Sequence, residues 1–199
     1  MVPISIRRLG LLLAVAGLTA CSLPARAPAP QLYDFGPATV AVPAPATPRP
    51  PLALRVQASP ALESTAMLYR LAYADERQLR AYSQSRWAML PAELLQQRLR
   101  AGLVSSYTLV PGDAAARVLH VELDEFSQYF TAAADSRGVL RLRASLLQRG
   151  AGGEQVRAQR DFVLERPAPS ADAPGGVRAL AAATDAAVTE LVHWSQGQR

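Results

Sequence analysis

Few residues in this chain carry chemically active side chains, and the most telling is its single cysteine. Cys21 follows Leu18-Thr19-Ala20, at the end of a segment that starts with Arg7 and Arg8 and continues as an apolar run from Leu9 to Leu18, broken only by Gly10 and Gly17. A charged start, a short greasy core and small residues before a cut make up a secretory leader, and the core is too short to span a bilayer. With the cysteine directly after Thr19-Ala20, the stretch resembles a bacterial lipobox. The chemistry there is a thioether-linked diacylglycerol on the sulfur, cleavage before the cysteine, and acylation of the new amine. The plainer alternative is an ordinary signal peptide with a leftover thiol.

Other reactive groups are sparse. His120 falls beside Glu122, Asp124 and Glu125, but a metal site needs several convergent ligands, and the other histidine, His193, lies far along the chain. The three acids resemble paired catalytic carboxylates only in spacing, since carboxylates on a solvated sheet face usually do no chemistry. There is no Gly-x-Ser-x-Gly elbow, no His-Glu-x-x-His and no nucleotide-binding glycine loop ending in Lys-Ser/Thr, and lysine is absent altogether. The expectation is a non-enzymatic protein with no cofactor and no metal, its only prosthetic group the lipid on Cys21.

An anchor of that kind constrains everything after it. Each buried methylene contributes about 0.8 kcal/mol, and two or more chains hold stably where one is marginal. Ser22 follows the cysteine, whereas an aspartate there commonly marks inner-membrane retention, so the expected station is the periplasmic face of the outer membrane. Loss of the leader with Arg7 and Arg8 takes the 21 basic side chains to 19 against 16 acids, a net of +3. The arginines are scattered without aromatic interleaving, which argues against nucleic acid as a partner. A cysteine consumed by lipid leaves no disulfide, so the hydrophobic half of the composition must hold the fold.

The elements follow from composition and period. Residues 1–20 are the leader, 21–30 a Pro/Ala-rich tether, and 31–199 one domain with a Pro-rich loop at 37–51. Within the proline-rich stretch, Leu32-Tyr33-Asp34-Phe35-Gly36 alternates like a short strand. If it docks on the domain, the free tether is about ten residues, or roughly 30 Å at about 3.1 Å per residue. Leu52 to Gln57 and Met67 to Tyr73 alternate as strands, and Asp75-Glu76-Arg77 reads as a turn before a short returning strand over Gln78–Ser83. Pro91 opens a helix that stacks Leu95, Leu99 and Leu103 beside Leu94, with Arg98 among the residues expected to face water. Val118 to Asp124 alternates with Leu119, Val121 and Leu123 inward; Phe126, Gln128 and Phe130 take the opposite phase, which implies a bulge near Glu125. A turn at Asp135-Ser136-Arg137-Gly138 leads to a strand with Leu140, Leu142, Ala144 and Leu146 inward against Arg141, Arg143 and Ser145. A glycine-rich turn leads to another strand with Val156, Ala158, Phe162 and Leu164 inward. A final helix carries the stripe Val177, Leu180, Ala181, Thr184, Val188, Leu191 and Val192. The expected class is α+β, an antiparallel sheet with two helices packed on one face.

The passage Tyr82-Ser83-Gln84-Ser85-Arg86-Trp87-Ala88-Met89-Leu90-Pro91, an aromatic followed by Arg-Trp running into a proline-started helix, resembles the signature of the ABC-type transport auxiliary lipoprotein family, the PqiC-like proteins. Leu32-Tyr33-Asp34-Phe35-Gly36-Pro37 is similar to that family's first strand, and Ala66-Met67-Leu68-Tyr69-Arg70 to the segment before the signature. The resemblance implies an outer-membrane lipoprotein that serves an MCE-type ABC transporter of lipids, docking the periplasmic MCE component without catalysis.

Tyr82, Arg86 and Trp87 are the candidate partner-binding residues, since arginine and large aromatics recur at interface hot spots. A structural role suits the same residues, with Trp87 filling the core under the first helix and Arg86 paired with an acid. Tyr69 and Tyr73 join Tyr82 either as an exposed aromatic face or as half-buried strand residues. Two other functions fit the sequence: a lipid-carrying module with a cleft between sheet and helices, which the small residues Ala181, Ala182 and Ala183 would permit, and an outer-membrane assembly lipoprotein. The faces of an open sheet leave room for a ring or dimer.

Overall fold

The computed structural model describes residues 28–37 and 49–198. The leader, Cys21, most of the tether and residues 38–48 of the Pro-rich loop lie outside the described residues. The strands are β1 (Gln31–Tyr33), β2 (Pro51–Ala58), β3 (Ala66–Leu71), β4 (Leu79–Trp87), β5 (Thr108–Leu109), β6 (Arg117–Ala132), β7 (Asp135–Gly150) and β8 (Gly153–Pro167). The helices are α1 (Ala72–Asp75), α2 (Pro91–Leu103) and α3 (Ala173–Gln196), with a single 3-10 turn at Pro60–Leu62. The class is α+β, and α2 and α3 pack together against the sheet.

The sheet is built on β6. Its 16 residues reach roughly 50 Å at about 3.3 Å each, farther than β2 or β3 can follow alone. One edge of β6 pairs antiparallel with β7 along its whole length. The other edge is shared end to end: β2 runs parallel to it from Ala53↔Val118 to Ala58↔Leu123, and β3 runs parallel from Leu68↔Ser127 to Leu71↔Phe130. The sheet is therefore mixed rather than antiparallel throughout, because strands separated in sequence return to β6 in its own direction. The changeover sits at the expected bulge. The register shifts between Leu123 and Glu125, and the Ser59 N–H bonds the Leu123 carbonyl at 2.9 Å where β2 hands over to β3. The shift turns Phe126, Gln128 and Phe130 onto the face already occupied by Leu119, Val121 and Leu123.

Three local expectations are corrected. The β6–β7 turn is Ala133-Ala134, so Asp135 to Gly138 are paired strand residues. The reason lies across the core: a Cβ on Gly138 would come within 2.7 Å of the Ala179 carbonyl carbon, so this glycine lets α3 lie close to the sheet rather than forming a turn. Ser145, expected outward, is buried. Val156, expected inward, is exposed, because the pairing slips between Leu146 and Leu147 and leaves Arg157 as an extra residue on β8.

Both long helices are closed down on the core. Pro91 occupies the first turn of α2, and the Glu93 carboxylate accepts the Leu90 N–H at 3.1 Å. Leu94, Leu95, Leu99 and Leu103 are buried. Asp172 caps α3 by accepting the Gly175 N–H at 2.7 Å, and the expected stripe packs inward through Leu180, Thr184, Val188 and Leu191. A Cβ on Gly102 would overlap Val188, and Ala183 and Ala187 are fully buried. The small residues of the two helices thus bring them close to each other and to the sheet. The outer face of the sheet is charged: Arg143 pairs with Asp161 at 2.8 Å, Arg70 with Glu125 at 3.1 Å and Arg137 with Glu165 at 3.1 Å.

Candidate partner-docking site

The Arg-Trp passage is strand, not loop: β4 continues past Ser83 through Trp87 before the chain turns into α2. Alternation along its last residues sends Ser85 and Trp87 inward and leaves Arg86 between them half-buried. Trp87 is 1% exposed, its ring 5.2 Å from Phe126 and 5.8 Å from Phe35, with Phe35 and Phe126 themselves 5.9 Å apart. Edge-to-face contacts of this kind contribute beyond the area they bury. Trp87 is therefore a core residue under α2, and its indole is not presented to a partner. Its Nε1–H meets no acceptor among the described residues.

Among the described residues Arg86 pairs with no acid. Its Nη1 donates to the Tyr82 carbonyl and, at 3.0 Å, to the Ser85 carbonyl, which curls the side chain back along its own strand. Tyr82 is half-buried against Tyr69, ring centroids 4.6 Å apart, and its hydroxyl donates to Gln128 Oε1 at 2.9 Å. Burial pushes the Tyr82 pKa up to about 12, and the neighbouring Tyr69 and Asp172 raise it further by smaller like-charge repulsion. Gln128 is fully buried and donates to Ser136 Oγ at 2.8 Å. Tyr82 thus anchors a polar link across β4, β6 and β7. Tyr73 lies apart, in α1 and more than half exposed.

What reaches the surface here comes from an unexpected direction. β1, the strand nearest Cys21 in sequence, lies parallel on β4 with Gln31↔Ser85, Leu32↔Arg86 and Tyr33↔Trp87. The Ala88 N–H closes the pairing on the Tyr33 carbonyl at 2.8 Å. Leu32 is 68% exposed and sits beside Arg86. An apolar side chain and a guanidinium thus stand next to each other at the point where the chain arrives from its tether.

Arg98 is the residue that sequence reasoning missed. Expected in water, it is buried, with Nη2 donating to the Phe35 carbonyl at 2.7 Å, Nε paired to Asp185 Oδ1 at 3.1 Å, and its guanidinium over the Phe35 ring at 5.7 Å. One side chain of α2 therefore ties the segment just after β1 to α3. The signal was faint: Arg98 lies three and four residues from Leu95 and Leu94, at the margin of the apolar stripe.

Two of the three acids near His120 are occupied, while Asp124 is exposed to solvent. Glu122 accepts from Gln57 Nε2 at 3.0 Å, and Glu125 takes both Arg70 and the Ser127 hydroxyl. His193 is on the solvent side of α3. Among the described residues no group of three or more metal-ligating side chains occurs, and no helix is long and apolar enough to cross a membrane.

Comparison with known proteins sets this geometry in a family. The protein is similar in structure to a Xanthomonas campestris protein of family DUF330, with 22% identity, a TM-score of 0.70, and coverage of 84% of this chain and 95% of that one. It is also similar to a hypothetical protein of Chlamydia trachomatis, with 10% identity, a TM-score of 0.50, and coverage of 75% and 97%. No curated protein matches. The sequence model described as ABC-type transport auxiliary lipoprotein component matches residues 33–192, from β1 almost to the end of α3. The chain belongs to the ABC-type transport auxiliary lipoprotein family.

Proposed function

We propose that this protein is a non-catalytic lipoprotein, held by lipid on Cys21 at the periplasmic face of the outer membrane, that serves an MCE-type ABC transport system for lipids by docking its periplasmic MCE component. The observation that carries this reading is the family match over residues 33–192, which starts at the strand lying on Arg86 and Trp87. The lipobox-like stretch before Cys21 supports the anchor, and the missing Ser/Thr-terminated phosphate loop leaves transport energy to another subunit. The exposed Leu32 and the half-buried Arg86 form the docking patch, while Tyr82 and Trp87 hold β4 in place beneath it.

Co-purification from solubilised envelopes tests the reading. The MCE component is recovered with the wild-type chain, and Arg86→Ala or Leu32→Asp weakens recovery without loss of folded protein. Recovery of no transporter component sinks it. Labelled palmitate enters the wild-type chain and not the Cys21→Ser variant, which leaves the outer-membrane fraction.

A further inference from the structure

β8 forms one margin of the eight-stranded sheet: it pairs only with β7, and no other described strand lies along its second edge. It is 15 residues long and mostly solvent-exposed, with Phe162 and Leu164 buried and Ala158 and Arg166 half-buried. A strand in that position presents alternate N–H and C=O groups without ladder partners. Its charges are sorted. Each acid on β8 is paired backward into the sheet: Glu154 to Arg149 at 2.7 Å, Asp161 to Arg143 at 2.8 Å and Glu165 to Arg137 at 3.1 Å. Its three arginines form no ion pair with an acid among the described residues. Arg157 is the extra residue of the bulge, Arg160 lies over the Phe162 ring at 4.8 Å, and Arg166 donates to the Glu165 carbonyl. Arg160 and Arg166 share the face of Phe162, whereas the exposed Val156 and Val163 lie on the other face.

We infer that the free edge of β8 receives an extended acidic segment of a partner protein, which joins the sheet as an added strand. Strand addition supplies main-chain hydrogen bonds, and alternate side chains supply selectivity. The segment that fits alternates carboxylates toward Arg160 and Arg166 with β-branched residues toward Val156 and Val163. For a second copy of this chain, antiparallel self-pairing centred on Arg160 or on Val163 would set arginine opposite arginine, which disfavours those two registers. The inference rests on the docking reading only for the partner's identity; the surface is tested without it.

The probe is a fluorescent, capped peptide alternating glutamate with valine, titrated by anisotropy into the full chain in detergent. Its affinity falls on adding salt and drops about ten-fold in the double variant Arg160→Glu with Arg166→Glu, a loss typical of reversing charges at a docking strip. The matching lysine peptide shows the opposite preference, binding the charge-reversed variant better than wild type, so a variant that merely unfolded is recognised by binding neither. Methylating alternate peptide nitrogens on the side that pairs abolishes binding with every charge intact. Equal affinity for the glutamate and lysine peptides overturns the inference, as does full binding by the N-methylated peptide. Arg86→Ala leaves peptide affinity unchanged, which separates this strip from the patch at β1 and β4. If the charge-reversed variant still recovers the MCE component, the transporter partner does not use this edge and the docking reading survives on its own.

Discussion

The guanidinium of Arg98 donates to the carbonyl oxygen of Phe35 at 2.7 Å, joining residues 63 positions apart. Through that bond and the ion pair to Asp185, the segment that follows β1 is fastened to both long helices.

Arg98→Ala should lower unfolding free energy by about 2 kcal/mol, the usual range for losing a charged hydrogen bond to a buried carbonyl. The half-exposed Asp185 adds little, since water screens it. Urea denaturation measures the loss, and limited proteolysis near Phe35 should accelerate more than cleavage elsewhere. Unchanged proteolysis there would show that β1 is held without this arginine.

Trp87 and Arg86 should separate cleanly. Trp87→Ala empties the space between Phe35 and Phe126 and is expected to cost about 3–5 kcal/mol. Arg86→Ala breaks only bonds to carbonyls of its own strand and should stay within about 1 kcal/mol of wild type while weakening partner recovery. Thermal melts beside the envelope pull-down distinguish the two. A destabilised Arg86→Ala would reverse the assignment of roles.

Tyr82 predicts a loss of stability at high pH. Its folded pKa of about 12 lies above the ordinary value of 10.0, so the unfolded chain releases the phenol proton first. The contribution is full below pH 10, declines as pH rises toward 12, and is gone beyond it. Tyr82→Phe should flatten that part of the stability profile and, by leaving Gln128 Oε1 without its donor, cost about 1–2 kcal/mol at neutral pH. Ultraviolet titration of the phenols provides the direct check.

Gly138→Ala should be costly where Gly112→Ala is not. An added methyl at 138 meets the backbone of Ala179 and Leu180 at 2.7 Å, whereas nothing lies within 4 Å of one at 112. Overpacking against backbone is expected to cost about 2–3 kcal/mol, read as a drop in the urea midpoint. Equal stability of the two variants would mean that α3 can lift from the sheet freely.

The amino-acid order by itself determined what depends on near neighbours. The two-residue period of Leu119, Val121 and Leu123, broken and resumed at Phe126, fixes one buried face and places the bulge, since each side chain needs only its own strand to know which side it takes. The stripes of α2 and α3, the α+β class and the family-like passages were legible for the same reason. Tertiary structure alone decided which strands share an edge of β6, that β1 lies on the Arg-Trp strand, that Trp87 is sealed between two phenylalanines, and that Arg98 turns inward to Phe35 and Asp185. Each of these joins residues tens of positions apart, where no local period records the partner. Gly138 shows the divide in one residue: beside Asp135 and Ser136 it spells a turn, yet it is there because a helix forty residues later comes too close for any side chain.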